Sequence, residues 1–235
     1  MKKFVITAFI ILCSVTVQAQ TVSGISSTPL SRADKDTGVR IGIRAGLDFA
    51  RLSSGTVGFD THTAFHAGMT VSVPIVNFGS PAFKQGFGMI MGLFVYGKGA
   101  ELKYKYGDRN VKESVSPLYL QLPMLVYYRC KPGKAVQLQI DLGPYFAYGI
   151  GGKYKIEYSE DNEKVSSETD FFGGDEIFKR ADYGLHIGAG ATIVGHYHVG
   201  IAYEIGLCDI IHKRFRASTE SWRNCVLSLS FGYDF

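Results

Sequence analysis

The sequence predicts an all-β fold, an eight-stranded antiparallel transmembrane β-barrel of the outer-membrane type. Three observations carry that reading: eight stretches of alternating polar and apolar residues, a secretory N-terminus, and short connections that alternate with long ones. The clearest stretch is the C-terminal run Val226 to Phe235. There Leu227, Leu229, Phe231, Tyr233 and Phe235 share one face, while Ser228, Ser230, Gly232 and Asp234 share the other. A period of two with an apolar outer face and a polar inner face is what a strand between lipid and lumen requires. Glycine (28), tyrosine (14) and phenylalanine (16) are abundant, in keeping with many strands and aromatic girdles.

Residues 1–19 read as a signal peptide. Lys2 and Lys3 form the charged region, Phe4 to Val17 the apolar stretch, and Val17, Gln18, Ala19 the small-residue cleavage site before Gln20. The stretch is shorter than the roughly 18 residues a helical anchor needs. Cys13 lacks the usual small preceding residue of a lipidation site, because Leu12 stands there. Residues 20–38, Ser/Thr-rich with Pro29 and a charged patch from Arg32 to Asp36, read as a flexible periplasmic lead, and 39–235 as the barrel.

Strand 1 is expected over Val39 to Ala50, strand 2 over Ala64 to Val76 and strand 3 over Gly86 to Glu101, with Asn77 to Gln85 as a periplasmic turn. Strand 3 is apolar on both faces through Ile90, Phe94 and Tyr96, which leaves its register open. Lys103 to Glu113 reads as a hairpin projecting above the membrane. Strand 4 follows over Pro117 to Arg129, and Cys130 to Lys134 turns the chain back. Strand 5, Val136 to Gly149, alternates Val136, Leu138, Ile140 and Leu142 with Gln137, Gln139, Asp141 and Gly143. Residues 151–180 form the longest expected loop, with net negative charge. Strands 6, 7 and 8 are Ala181 to Val194, Tyr197 to Leu207 and Trp222 to Phe235. An even strand number lets the sheet close, so no unpaired edge faces lipid. Eight strands enclose a lumen that side chains just fill, which argues against a wide pore.

Composition narrows the partners. Without residues 1–19 the chain carries 23 basic and 21 acidic residues, with no basic run or aromatic-interleaved basic patch, which excludes nucleic acid as a partner class. The expected partners are outer-membrane lipid and protein components of the outer membrane or periplasm, with the barrel itself a monomer, exported to the outer membrane of a Gram-negative cell.

The inward parity selects Arg40, Arg44, Asp48, His66, Gln121, Gln139, Asp141, Asp182, His186, His198, Glu204 and Asp234. A narrow lumen must satisfy such groups by hydrogen bonds and paired charges, so they are expected to form a structural polar network. Ring closure is expected to pair Arg40 with Asp234 and to leave Arg44 near Glu204 and Asp141. A barrel enzyme acting on lipid acyl chains would need a serine, a histidine base and an orienting acid. No recognised spacing supplies them: His196 and His198 lie at a turn, and His212 shares a loop with Ser218 and Ser221. His196 and His198 fall at i and i+2 without a Cys or carboxylate to complete a ligand set. No catalytic, cofactor-binding or metal residue is therefore assigned, and no cofactor is expected. Of the three cysteines beyond residue 19, Cys208 and Cys225 flank the last loop on opposite parities, so a disulfide between them would need a bulge.

Four segments, Tyr119 to Tyr128 (YLQLPMLVYY), Ile140 to Lys153 (IDLGPYFAYGIGGK), Asp182 to Gly190 (DYGLHIGAG) and the terminal GYDF, resemble the small outer-membrane β-barrel family of Bacteroidetes that includes the PorT-like proteins. The resemblance implies an outer-membrane location and, for some members, a role in assembling a protein-secretion apparatus. The acidic segment 151–180 is not part of the family pattern. Its Phe171 and Phe172, flanked by Gly173 and Gly174, are candidate partner contacts in a segment longer than strand connection requires. The expected function is an interaction or assembly protein acting through its loops or periplasmic face, with no enzymatic activity. The alternatives are a lipid-modifying enzyme and a narrow solute pathway.

Overall fold

A computed structural model describes residues 38–53, 60–80, 83–106, 109–132, 135–160, 163–172, 178–210 and 222–235. The segment 1–19 expected to be a signal peptide, the expected lead as far as residue 37, and His212, Ser218 and Ser221 lie outside the described residues.

Among the described residues ten strands are formed: β1 (Arg40–Ser53), β2 (His62–Ser80), β3 (Phe83–Gly97), β4 (Ala100–Tyr106), β5 (Arg109–Pro132), β6 (Val136–Glu160), β7 (Glu163–Asp170), β8 (Ala181–Ile193), β9 (Tyr197–Gly206) and β10 (Arg223–Asp234). Eight of them, β1, β2, β3, β5, β6, β8, β9 and β10, pair in antiparallel order and close into a ring through β5–β6 and β1–β10. Closure gives every ring strand two neighbours, as a hydrocarbon environment demands of backbone N–H and C=O groups.

Alternation sets the wall. On β1, Ile41, Ile43 and Leu47 are exposed while Asp48, Ala50 and Leu52 are buried. The same parity exposes Ile140, Leu142, Ile187, Ile201, Leu229 and Phe231. Aromatic rings collect at the end bearing the short turns. Phe78 stacks on Phe87, Phe87 meets Tyr128, and Tyr233 lies between Tyr197 and Phe235. The open register of strand 3 is settled by packing, with Ile90, Phe94 and Tyr96 inside and Phe87 and Leu93 outside.

Two connections differ from expectation. The turn expected over Asn77 to Gln85 is largely strand, because β2 and β3 stay paired as far as Ser80↔Phe83 after a register shift between Pro74 and Val76. The loop expected over 151–180 is largely a hairpin: β6 runs on to Glu160 and β7 returns beside it, Lys153↔Asp170 through Glu160↔Glu163. Their alternating Tyr154, Ile156 and Tyr158 suit a strand as well as a loop, and the neighbouring β5 segment extends the ladder as far as Asn110↔Ser159.

The expected projecting hairpin is present. β4 prolongs β3 in one register, Gly97↔Leu118 then Ala100↔Val115, and pairs with β5 up to Tyr106↔Arg109. The ladder lapses opposite Pro117, which has no N–H to donate, while Lys98 N–H still donates to its carbonyl. Beyond the ring, β4, β5, β6 and β7 thus continue as a four-stranded sheet. At the opposite end the β8–β9 turn places Val194 and Gly195 at φ 52° and 78°. Those two positive values, with His196 N–H donating to Ile193 O, match the tight turn that follows the right-handed strand twist.

Cys130, Cys208 and Cys225 are free thiols. Cys208 Sγ instead donates to Ala181 O.

Candidate functional site

The lumen is filled in layers. Nearest the short-turn end, Ile90, Leu125 and Tyr127 form an apolar patch. Toward the loop end, Ala50, Phe94, Tyr96, Tyr119, Tyr145, Ala147 and Val226 pack together with Phe172 against them. Leu52, Ala100 and Ile210, with Val115 and Trp222, cover the top. Polar groups run between these layers, and a lumen cavity of about 90 Å³ is left among Arg44, Thr70, Gln139, His186, His198 and Ser230.

All nine residues assigned to the network face inward, and the structure links most of them. His186 sits between two carboxylates, Nδ1 3.1 Å from Glu204 and Nε2 3.2 Å from Asp141. With a carboxylate at each ring nitrogen, both nitrogens donate, which is the protonated imidazole. Gln139 Nε2 donates to Asp141 at 2.9 Å and its Oε1 accepts from Arg129 at 2.7 Å. Gln121 Nε2 donates to Glu204 at 2.6 Å.

The expected pairing of Arg40 with Asp234 is corrected. Asp234 lies opposite Gly42, and Arg44 opposite Gly232. Arg44 reaches across these two glycines to Asp234 at 2.5 Å. Arg40 meets Gln137 Oε1 at 3.4 Å instead. Glu204 and Asp141, expected near Arg44, take His186 as their shared partner.

Lys98 was not legible as a lumen residue. Its side chain is completely buried and pairs with Asp182 at 3.0 Å and Glu204 at 3.5 Å. The ammonium also faces the Tyr145 ring at 4.2 Å and the Tyr119 ring at 5.5 Å, contacts that favour a desolvated cation. Asn224 and Tyr145 donate to Asp182 as well. The signal was parity: Lys98 follows Phe94 and Tyr96 by steps of two, but a strand apolar on both faces hid which face was inner.

A second cluster joins β1, β2 and β10. His66 Nδ1 lies 2.7 Å from Asp48 Oδ1 and its Nε2 2.9 Å from Ser230 Oγ. Ser228 Oγ donates to the same Asp48 oxygen at 2.6 Å. The imidazole stacks on Tyr96, centroids 4.8 Å apart and planes 13° from parallel. Inward parity places Asp48 and His66 in the lumen but does not join them to Ser230, which is 164 residues from His66.

Phe171 and Phe172 do not form an outward contact pair. Phe171 is 5% exposed and stacks on Phe178 at 4.1 Å. Phe172 meets Tyr119 edge to face, and the Arg180 guanidinium covers its ring. The β6–β7 hairpin delivers both rings back over the lumen, where apolar cover outweighs exposure to water. His196 and His198 also part: His196 donates toward Asp234 O and stacks on Tyr233, while His198 lines the cavity.

Several solved structures are similar in outline. They include the attachment invasion locus protein Ail of Yersinia pestis, at 15% identity over 83% of this chain and 98% of that chain, TM-score 0.37. Neisserial surface protein A has 11% identity over 84% and 99%, TM-score 0.35. The outer membrane protein OprG from Pseudomonas aeruginosa has 15% identity over 85% and 97%, TM-score 0.35. No curated protein matches the sequence. The model of the family described as outer membrane protein beta-barrel domain matches residues 18–212, and with its closed antiparallel ring and lipid-facing alternation the chain belongs to that family.

Proposed function

We propose that this outer-membrane β-barrel is an interaction or assembly protein that engages a protein partner through the sheet projecting beyond its ring. The observation that carries the reading is the open edge of β7. In the projecting sheet β5 and β6 are paired on both sides, and β4 is tied at Asp60↔Glu101 and by the Lys103–Asp60 ion pair at 3.3 Å. β7 pairs with β6 alone among the described residues, and residues 166–170 are exposed.

Such an edge presents a row of unpaired N–H and C=O groups, to which an extended segment of another chain can add. Its exposed residues 166–170 carry Glu168, which pairs with Lys153 of β6, and Asp170 with no basic residue among them, so a basic partner segment is favoured. The apolar layers that fill the lumen on both sides of the polar groups direct function away from solute passage. The resemblance to the PorT-like proteins supports a narrower form of the proposal, in which the partner is a component of a secretion apparatus.

The test is co-purification from native membranes at low and high salt. A Ser166→Pro, Ser167→Pro variant removes one backbone donor from the open edge of β7 and one from its β6 side, and leaves the ring strands unsubstituted. Loss of a stoichiometric partner with retained heat-dependent gel mobility supports the reading. Capture that is unchanged in this variant overturns it.

A further inference from the structure

The Asp48–His66–Ser230 cluster has the connectivity of a nucleophilic serine, its base and the base's orienting acid. Asp48 accepts at 2.7 Å from Nδ1 of His66, which leaves Nε2 to accept the Ser230 hydroxyl at 2.9 Å. That order fixes the tautomer a general base requires. Stacking on Tyr96 fixes the ring plane. Ser228 donates to Asp48 but makes no contact with the ring nitrogens, so one of two neighbouring lumen serines is singled out.

Two further features separate this cluster from the charge-balanced remainder of the lumen. Asp48 is fully buried, and among the described residues its carboxylate pairs with His66 and with no lysine or arginine. A buried carboxylate with no cationic partner gains by the formation of an imidazolium beside it. The nucleophile is also open on its flanks. Ser230 lies opposite Gly46 on β1 and Gly200 on β9, and it borders the cavity of about 90 Å³. A Cβ on Gly46 would stand 2.6 Å from the His66 ring, so glycine there is what allows the imidazole to reach Ser230.

We propose that Ser230 is the nucleophile of a lumenal esterase site, with His66 as general base and Asp48 as its positioning residue. The cavity takes a few waters or a short acyl group rather than a fatty acyl chain, so the substrate class is a short-chain ester. Ser230 Oγ attacks the ester carbonyl and forms a C–O bond while its proton moves to His66 Nε2. Collapse breaks the bond to the alcohol, which leaves with that proton. Water then repeats the sequence on acyl-Ser230 and releases the carboxylic acid. Arg44 stands on the wall of the same cavity, where its guanidinium is held by Asp234.

The test uses methanesulfonyl fluoride, a reagent small enough for the cavity, on the full protein folded in detergent. Attack forms the Ser230 O–S bond, breaks S–F, expels fluoride and leaves the proton on His66. Peptide mapping should find the methanesulfonyl group on Ser230 and not on Ser228, with no labelling of boiled protein. Base catalysis contributes roughly 10²- to 10⁴-fold, so His66→Gln should label at least about a hundredfold more slowly, and Asp48→Asn should also lose rate. Retained heat-dependent mobility confirms that each variant is folded. Absence of label on folded wild type, label on Ser228, or an unchanged rate in a folded His66→Gln protein overturns the proposal; if neither His66 nor Asp48 variant folds, equal labelling of folded and boiled wild type does so.

Discussion

Lys98→Met tests how much the lumen depends on one buried cation. Methionine keeps the length and apolar stem of lysine, so the substitution removes charge with little change in volume. In the native lumen the ammonium is completely buried, 3.0 Å from Asp182 and 3.5 Å from Glu204. Its loss leaves two carboxylates buried on neighbouring strands. Each retains polar contacts: Asn224 and Tyr145 for Asp182, Gln121 and His186 for Glu204. Removing one partner of such a buried pair costs about 3–5 kcal/mol, and those remaining donors place the expected cost toward the lower part of that range. With a urea slope of roughly 2 kcal/mol per molar, the unfolding midpoint in lipid vesicles should fall by about 2 M. The fraction of protein migrating as the compact unboiled form, followed against urea, measures it. Neutralising the stranded acid should restore stability, and a Lys98→Met, Asp182→Asn cycle should show coupling of up to about 3 kcal/mol. A loss below about 1 kcal/mol, or additivity in the cycle, would refute the assignment of Lys98 as the central counter-ion.

Arg44→Leu should strand Asp234 and lower stability by about 3–5 kcal/mol in the same assay. The projecting sheet should respond to acid. Partial burial raises the Glu101 carboxyl, but the hydrogen bond and charge of Lys112, with His62 and Lys103, outweigh it and hold it below its ordinary value. A depressed carboxylate stabilises above its unfolded value and loses that contribution as pH falls through the folded one. Trp222, the single tryptophan, shares an apolar cluster with Ala100, next to Glu101; its emission should hold steady near neutral pH and shift below the usual carboxylate range, and Glu101→Gln should remove the transition. Protein denatured without reductant should expose Cys130, Cys208 and Cys225 as three alkylatable thiols; two protected thiols would establish a disulfide.

Local alternation determined most of the wall. A strand whose faces meet lipid and lumen must repeat every two residues, so Ile41 to Leu47, Leu138 to Leu142 and Leu227 to Phe235 announced both their conformation and their outer face. The same parity found Asp48, Gln139, Asp141, Asp182, His186 and Glu204. Its limit is that parity gives a face and not a neighbour. Where both faces are apolar, as on β3, even the face is lost, and Lys98 with it. The hairpin of β6 and β7 was hidden because its alternation falls among charged residues above the membrane, where no lipid imposes a contrast. Only ring closure decided the partners. The register of β1 against β10 gave Asp234 to Arg44, and the junction of β2, β1 and β10 brought His66 to both Asp48 and Ser230. Contacts of that kind depend on the stagger between strands far apart in the chain, which is a property of the closed sheet and is carried by no single segment of the sequence.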